Sequence, residues 1–384
     1  MPIFGYIFKE NLAGQSCCFA REMIISNLLP YVPGHSGFSS YVKRVLPGLP
    51  GFRLLVGADD CAICRNDDWL PEQPPKTQPL ALLHQLAFTQ HGVDIKAALI
   101  KAGLNMNDVQ SIYSPYCDAL LSIRGTPQVI TCHDLTPLAY PNSRKAAFRY
   151  KIWTPLHFKK ATAVIAISRF VANQLVDFGV PACKIEVIYN GVAIVREPIA
   201  SAASNDLLII ARHDSNKNVA MVVHAFDQFV QQNSHWRGRL VVVGRAGSES
   251  RQLKLTIAQL KNPECVVFLE SVTSTELVQL LRCSFALVSA SSMEGFDYPI
   301  LEAKAEGLPT IISDIPVHRE LHGDTSLYFE LSNAPRSFGY ALERLAGDLV
   351  LWNYLGLQGF RLANSFSISV QQQQIQDLLN CIQS

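Results

Sequence analysis

Little in this chain is extreme. Among its 384 residues, 33 Lys and Arg stand against 32 Asp and Glu, so no net field draws it onto nucleic acid and any basic footprint is local. No apolar run approaches the roughly 20 residues of a membrane-spanning helix. The opening MPIFGYIFKENLAGQ puts Lys9 and Glu10 where a secretion signal needs unbroken apolar residues, so none is expected. Ten cysteines lie scattered rather than clustered as a disulfide framework, which fits a reducing compartment and a cytoplasmic address. Cys61 and Cys64 form one C-x-x-C, but no second pair or His-x-x-x-His completes a zinc site. No solenoid-type repeat is present.

What is present is alternation. Short β-branched runs (MIISNLL, FRLLVGA, QVITCHDL, ATAVIAIS, KIEVIYNGV) interleave with helical patterns such as FSSYVKRVL and RFVANQLVDF. The second half repeats the scheme with DLLIIA, RLVVVG, CVVFLE, FALVSAS and PTIISD between amphipathic segments. This predicts an α/β protein of two doubly wound, Rossmann-like domains built on buried parallel sheets. The turn and linker YNGVAIVREPIASAASND puts the boundary near Asn190, giving domains at 1–189 and 190–365. Residues 366–384 keep apolar residues at helical spacing and predict a terminal helix docked on the first domain.

Ligands of such sheets bind beyond the carboxyl ends of the strands, which selects the loops to read. After DLLIIA comes ARHDSNKN, whose Arg212 and Lys217 beside a helix start suit a pyrophosphate; solvated loop charges are the plain alternative. After FALVSAS comes SSMEGFDYPILEAKAEGLP. Pro299 suits a first helical turn, so Glu294, Gly295, Phe296, Asp297 and Tyr298 form a loop and Glu302 falls in that first turn. Two carboxylates at this spacing read as an acid and base pair or as acceptors for the hydroxyls of a sugar or ribose. The helix N-terminus favours the ionised acceptor. The plain alternative makes Glu302 and Lys304 surface residues and Gly295 a turn. His133 and Asp134 end another strand, where a histidine binds substrate, moves protons or simply anchors the loop. Gly34 and Gly37 precede a helix and free N–H groups for a phosphate or an acceptor. VVVGRAG, with Gly244 and Gly247, lacks the spacing of a dinucleotide fingerprint. No D-x-D is present, so no metal is expected, and Arg212 and Lys217 would have to neutralise a diphosphate.

In order and spacing, the glycine loop, His133 to Leu135, Ser168, VIYNGV, Arg212 with Lys217, and the E-x7-E of Glu294 and Glu302 resemble the retaining glycosyltransferases of family four, which have the GT-B fold. The resemblance implies hexosyl transfer, of glucose or mannose type, from a nucleotide-diphosphate sugar to a glycan or lipid-linked acceptor. The sugar nucleotide is a co-substrate, and no cofactor is implied. Glu302 would bind the ribose and Glu294 the sugar hydroxyls. Arg212 and Lys217 would neutralise the diphosphate, and the N–H groups of Phe296 to Tyr298 would reach sugar and phosphate. His133 would sit beside the sugar and Gly37 near the phosphates or acceptor, with the base near Val267 to Val272. The family's front-face displacement needs no protein nucleophile, only fixed charge and orientation.

The chain departs from EGFGLP at Asp297 and Tyr298, placing two side chains where the sugar or acceptor would pass. Ser36 precedes Gly37, and Tyr189 and Ala193 flank Asn190-Gly191 where Pro and Asp are usual. The first 20 residues have no counterpart. These departures leave a catalytically silent binder, or a phosphorylase or epimerase on the same scaffold, as alternatives.

From Leu135 to Val176 no acidic residue occurs, while seven Lys and Arg interleave with Phe148, Tyr150, Trp153 and Phe158. Residues 144–160 therefore suit peripheral contact with anionic lipid. A helix pair with its aromatics packed inward is the alternative, favoured by Pro155, which interrupts the helix.

Overall fold

The computed structural model describes residues 23–28, 31, 37–49, 51–56, 61–65, 105–121, 123–140, 148–194 and 197–382. Gly34, Ser36, the first 20 residues and residues 144–147 lie outside the described residues. Thirteen described strands form two sheets. The first contains β1 (Met23–Asn27), β2 (Phe52–Val56), β3 (Cys61–Arg65), β4 (Val109–Ser114), β5 (Gln128–Cys132), β6 (Ala163–Ala166) and β7 (Ile185–Val187), in the spatial order 3-2-1-4-5-6-7. All its pairings are parallel except β2 with β3. The expected all-parallel sheet therefore carries an antiparallel edge, and Cys61 and Cys64 belong to it. Helices α1 (Gly37–Val45), α2 (Thr136–Ala139), α3 (Thr154–Lys160) and α4 (Arg169–Asp177) belong to this half.

The second sheet holds β8 (Leu207–Ile210), β9 (Leu240–Val243), β10 (Val266–Leu269), β11 (Ala286–Ser289), β12 (Thr310–Ser313) and β13 (Leu327–Phe329), wholly parallel, in the order 10-9-8-11-12-13. Its central strands are uninterrupted apolar runs because helices cover both faces. One face packs on α5 (Val219–Gln232), whose Val219, Val222, Val223, Phe226 and Phe229 recur at helical spacing and are buried. Helices α6 (Ser250–Ala258), α7 (Ser274–Cys283), α8 (Tyr298–Ala305) and α9 (Pro316–His322) follow in the α/β alternation, and α10 (Ala334–Gly347) and α11 (Leu349–Ser365) end the half. A reciprocal cap of Thr273 and Glu276 starts α7. The final helix, α12 (Ile368–Cys381), returns to the first half, where Ile375 and Leu379 pack with Leu28, Tyr41 and Val45.

The halves share apolar surface. Val171 and Leu175 of α4 lie in one buried cluster with Phe296, Leu301, Val317 and Leu321 of the second half. Glu320 of α9 accepts the N–H groups of Arg169 (2.7 Å) and Phe170 (2.8 Å), so one domain caps a helix of the other.

The segment before α3 is helical through a wide π turn at Arg149–Trp153, and Pro155 sits in the first turn of α3 rather than breaking a helix. Phe158 and His157 face inward, but Phe148, Ile152 and Leu156 are exposed at four-residue intervals beside Lys151 and Lys159. The aromatics thus do not all pack inward.

Lys304 is no surface residue. It is fully buried, its Nζ donating to the carbonyl (2.5 Å) and hydroxyl (2.8 Å) of Thr325, and burial pulls its pKa down to about 7. Between that value and the ordinary lysine value near 10, only the unfolded chain holds the proton, so stability from this site rises with pH by at most about 1.4 kcal/mol per unit. Urea unfolding is expected to show wild-type stability climbing from pH 7 to 9.5, with Lys304→Met losing that climb.

Candidate functional site

Strand order reverses between β8 and β11, where a doubly wound sheet opens a crevice. A small cavity there is lined by Ala211, Lys217, Ser289, Ser291 and Asp297. Two loops are laced together around it. Asn218, left-handed at φ 49°, donates its amide to the carbonyl of Ala290 (2.8 Å), Asn216 donates to Met293 (3.1 Å), and the Ser292 N–H returns to Asn216 (2.8 Å). The sequence signals for these loops are their strand ends; the lacing is set by tertiary contact.

Inside this lacing Lys217 forms an ion pair with Glu294. Burial works against the ammonium, but the charges of Glu294, Asp297 and Asp134 more than offset it and hold the Lys217 pKa above the usual lysine value. Arg212 is half exposed, with Nε donating to the carbonyl of Ala246 (3.3 Å) and Asp214 at 3.6 Å. The two cations flank the same loop, one anchored and one open to solvent.

Asp297 does not reach across the cleft. It is 7% exposed, left-handed at φ 65°, and turned behind the loop, where Oδ2 accepts from Ser289 Oγ (2.6 Å) and meets His318 Nε2 (3.3 Å). Burial opposes its charge, yet Lys217, His318 and Ser289 hold its carboxyl well below the usual range. Glu302, expected in the first helical turn, is the fifth residue of α8 and lies in its second, because the helix opens at Tyr298. It pairs with Arg44 of α1 across the cleft, and the Arg44 guanidinium lies 4.5 Å from the centre of the Tyr298 ring. Gln372 of α12 donates to the carbonyl of Arg44 (2.8 Å), fixing the helix end that carries it. Neither carboxylate of the E-x7-E is left as an unpaired acid.

His133 follows β5. Its Nε2–H donates to the Pro115 carbonyl (2.8 Å), and its ring meets Phe38 and Tyr41 edge-on at 4.9 and 4.6 Å. Burial lowers its pKa to about 4, so at neutral pH it is an uncharged group. Its own carbonyl touches Gly295, where a Cβ would lie 1.8 Å from that oxygen. Ser168 caps α4 and donates its hydroxyl to the Gly295 carbonyl (2.8 Å), a further bond between the halves. Phe296 is buried in the shared apolar cluster. Gly37 opens α1, and a Cβ there would meet nothing within 4 Å. Gly244 and Gly247 are close-approach positions, against Ala211 and against His213 with Asp214.

Sequence reasoning missed Arg44, Glu320 and His318. Arg44 and Glu320 lie 258 and 150 residues from their partners, and His318 lies on a separate helix, 21 residues from Asp297.

Two doubly wound sheets joined around a charged crevice define the GT-B class of fold. Solved structures agree: sucrose-phosphate synthase from Thermosynechococcus elongatus superposes with a TM-score of 0.73 at 18% identity over 94% of this chain and 99% of that one. Anabaena HepE in complex with UDP and glucose gives 0.68 at 17% identity, over 94% and 100%. The family model "Glycosyl transferases group 1" matches residues 195–344, and "Glycosyltransferase Family 4" matches residues 70–196. The chain belongs to the family-4 glycosyltransferases. The O-antigen chain mannosyltransferase RfbU of Salmonella typhimurium is 31% identical over 52% of this chain. The serotype-specific mannosyltransferase WbdA of Escherichia coli is 28% identical over 49% of it. These matches span 56% of the first relative's length and 22% of the second's.

The two glycines yield a contrasting test. Gly295→Ala is expected to cost about 1–3 kcal/mol in thermal unfolding because its Cβ must push the halves apart. Gly37→Ala, with open space around it, leaves stability unchanged.

Proposed function

We propose that this protein transfers a mannosyl group, with retention and without a metal ion, from a nucleoside-diphosphate mannose to a glycan or lipid-linked acceptor in surface polysaccharide assembly. The supporting observation is the Lys217–Glu294 pair at the switch point, beside the N-terminus of α8. A fixed ammonium next to oriented backbone N–H groups stabilises a departing diphosphate, and a carboxylate at the same place accepts sugar hydroxyls. Mannose is preferred to glucose because mannosyltransferases recur among the relatives, one of them named for GDP-mannose.

In this reading Arg212 adds a second cation to the diphosphate, and Arg44 engages one oxygen of Glu302 so that the other faces the ribose hydroxyls. The N–H groups of Phe296 to Tyr298 line sugar and phosphate. His133, neutral and with Nε2–H committed to a carbonyl, lines the sugar pocket without donating a proton. Gly37 leaves room for phosphate or acceptor. Orientation and electrostatic stabilisation carry the reaction, and the departing phosphate oxygen takes the acceptor proton.

The test is donor turnover with GDP-mannose, UDP-glucose and UDP-galactose in EDTA. The expected outcome is preference for GDP-mannose, an α-linked product by NMR, and losses of about 100-fold or more for Lys217→Ala and Glu302→Ala. Full activity in either variant overturns the site assignment, and activity abolished by EDTA overturns metal independence.

The acceptor side of the proposal includes a membrane surface at the cytoplasmic face. No helix among the described residues is long and apolar enough to cross a membrane. The exposed stripe of Phe148, Ile152 and Leu156, with Lys151 and Lys159 at its edges, supports peripheral contact within residues 144–160. Co-sedimentation with vesicles containing phosphatidylglycerol is expected to fall with salt and with Lys159→Glu; equal binding to neutral vesicles contradicts it.

A further inference from the structure

The side chains of Asp297 and His318 have no part in the donor contacts proposed above. Asp297 adopts the left-handed conformation that glycine reaches freely and other residues at a cost of about 1–2 kcal/mol. Helix capping does not account for it, since its side chain makes no capping hydrogen bond to α8. Its carboxylate instead closes the neck of the loop. Ser289, the last residue of β11, donates to Oδ2 at 2.6 Å, so the residues between 289 and 297 leave and return through one bond.

Behind that bond stands His318, with no exposed surface. Its Nδ1 lies 2.8 Å from the Ser313 carbonyl, which can only accept, so Nδ1 carries a proton. Its Nε2 faces the Asp297 carboxylate, also an acceptor, at 3.3 Å. The ring thus stands between two acceptors, the Ser313 carbonyl and the Asp297 carboxylate. It ties the loop to the ends of β11 and β12 and to α9 together.

The loop so closed carries Glu294, the partner of Lys217, and Gly295, whose carbonyl Ser168 holds. The Asp297 charge also faces Lys217. We propose that Asp297 and His318 are a positioning pair that holds residues 290–298, and through them Lys217 and Glu294, in the arrangement that receives the donor diphosphate and sugar. The pair fixes by charge and hydrogen bonds a loop position where the family pattern has glycine. The inference rests on the donor site proposed above.

Variants separate the shape of the clasp from its presence. In Asp297→Asn the amide oxygen accepts from Ser289 and the amide N–H donates to a neutral His318, so the clasp closes without charge. Asp297→Gly keeps the backbone conformation and removes the clasp. Hydrogen exchange on the protein alone is expected to show residues 290–298 opening at least tenfold faster in Asp297→Gly and near wild-type rates in Asp297→Asn. With GDP-mannose, Asp297→Gly is expected to raise the donor KM about tenfold with kcat changed less than threefold, and Asp297→Asn to restore most of it. His318→Gln, which keeps one donor toward Asp297 and loses the bond to Ser313, is expected to fall between them and serves as the second probe if Asp297→Gly does not fold. Wild-type exchange and KM in Asp297→Gly overturn the pair while leaving the donor site standing. Wild-type protein that binds none of GDP-mannose, UDP-glucose or UDP-galactose overturns the donor site and the pair with it.

Discussion

At the floor of the crevice the two halves meet backbone to backbone, with Gly295 against the carbonyl of His133 and no space for a side chain between them. Everything else in the site takes its position from that contact. Ser168 bonds the same glycine from the first domain, Glu320 caps α4 from the second, and Phe296 enters an apolar cluster built from both. A side chain at 295 would act as a wedge between the two halves. The loop's chemistry therefore depends on a missing Cβ as much as on its charged residues.

The charges are arranged as pairs rather than as free acids and bases. Lys217 is matched by Glu294 and Arg44 by Glu302, while Asp297 accepts from Ser289 and faces Lys217 and His318. A buried ion left alone would cost several kcal/mol, so each is retained only because its partner and further hydrogen bonds are in place. Such an environment suits a reaction in which charge develops on a leaving group and a sugar ring, since the dipoles and ions are set before the substrate arrives. It suits proton shuttling through His133 poorly, since that ring is held uncharged and its N–H is already spent.

Much of this was legible in the residues. LLII and LVVV declare buried parallel strands because both faces are apolar, and the turn before Val192 marks where one sheet ends. VQSIYS does not announce β4, because Gln110, Ser111 and Ser114 break its apolar pattern, though both serines are buried. The three residues of β13 were too few to show a period. The helix Ala334–Gly347 carries a readable signal, since Phe338, Ala341, Leu342 and Leu345 recur at helical spacing, and Trp352, Leu355, Gly359 and Ala363 do the same for Leu349–Ser365. Within the site, residues inside linear motifs were found and their partners were not. Glu302 and Asp297 are visible from SSMEGFDYPILEAKAEGLP, but Arg44 and His318 become partners only once the chain folds. Lys304 misled for the same reason: nothing next to it in sequence announces that Thr325 closes over its amine.

The last helix gives the molecule a second crossing between its halves. The chain passes from the first sheet to the second after β7 and returns between α11 and α12, and the two passages lie side by side: Val192 bridges to Ser367, and its N–H meets the Phe366 carbonyl at 2.7 Å. Gln371 braces the same place, accepting from Gly191 N–H at 2.8 Å. Two tethers lying side by side hold the halves in register, where a single covalent passage would leave them free to rotate about it.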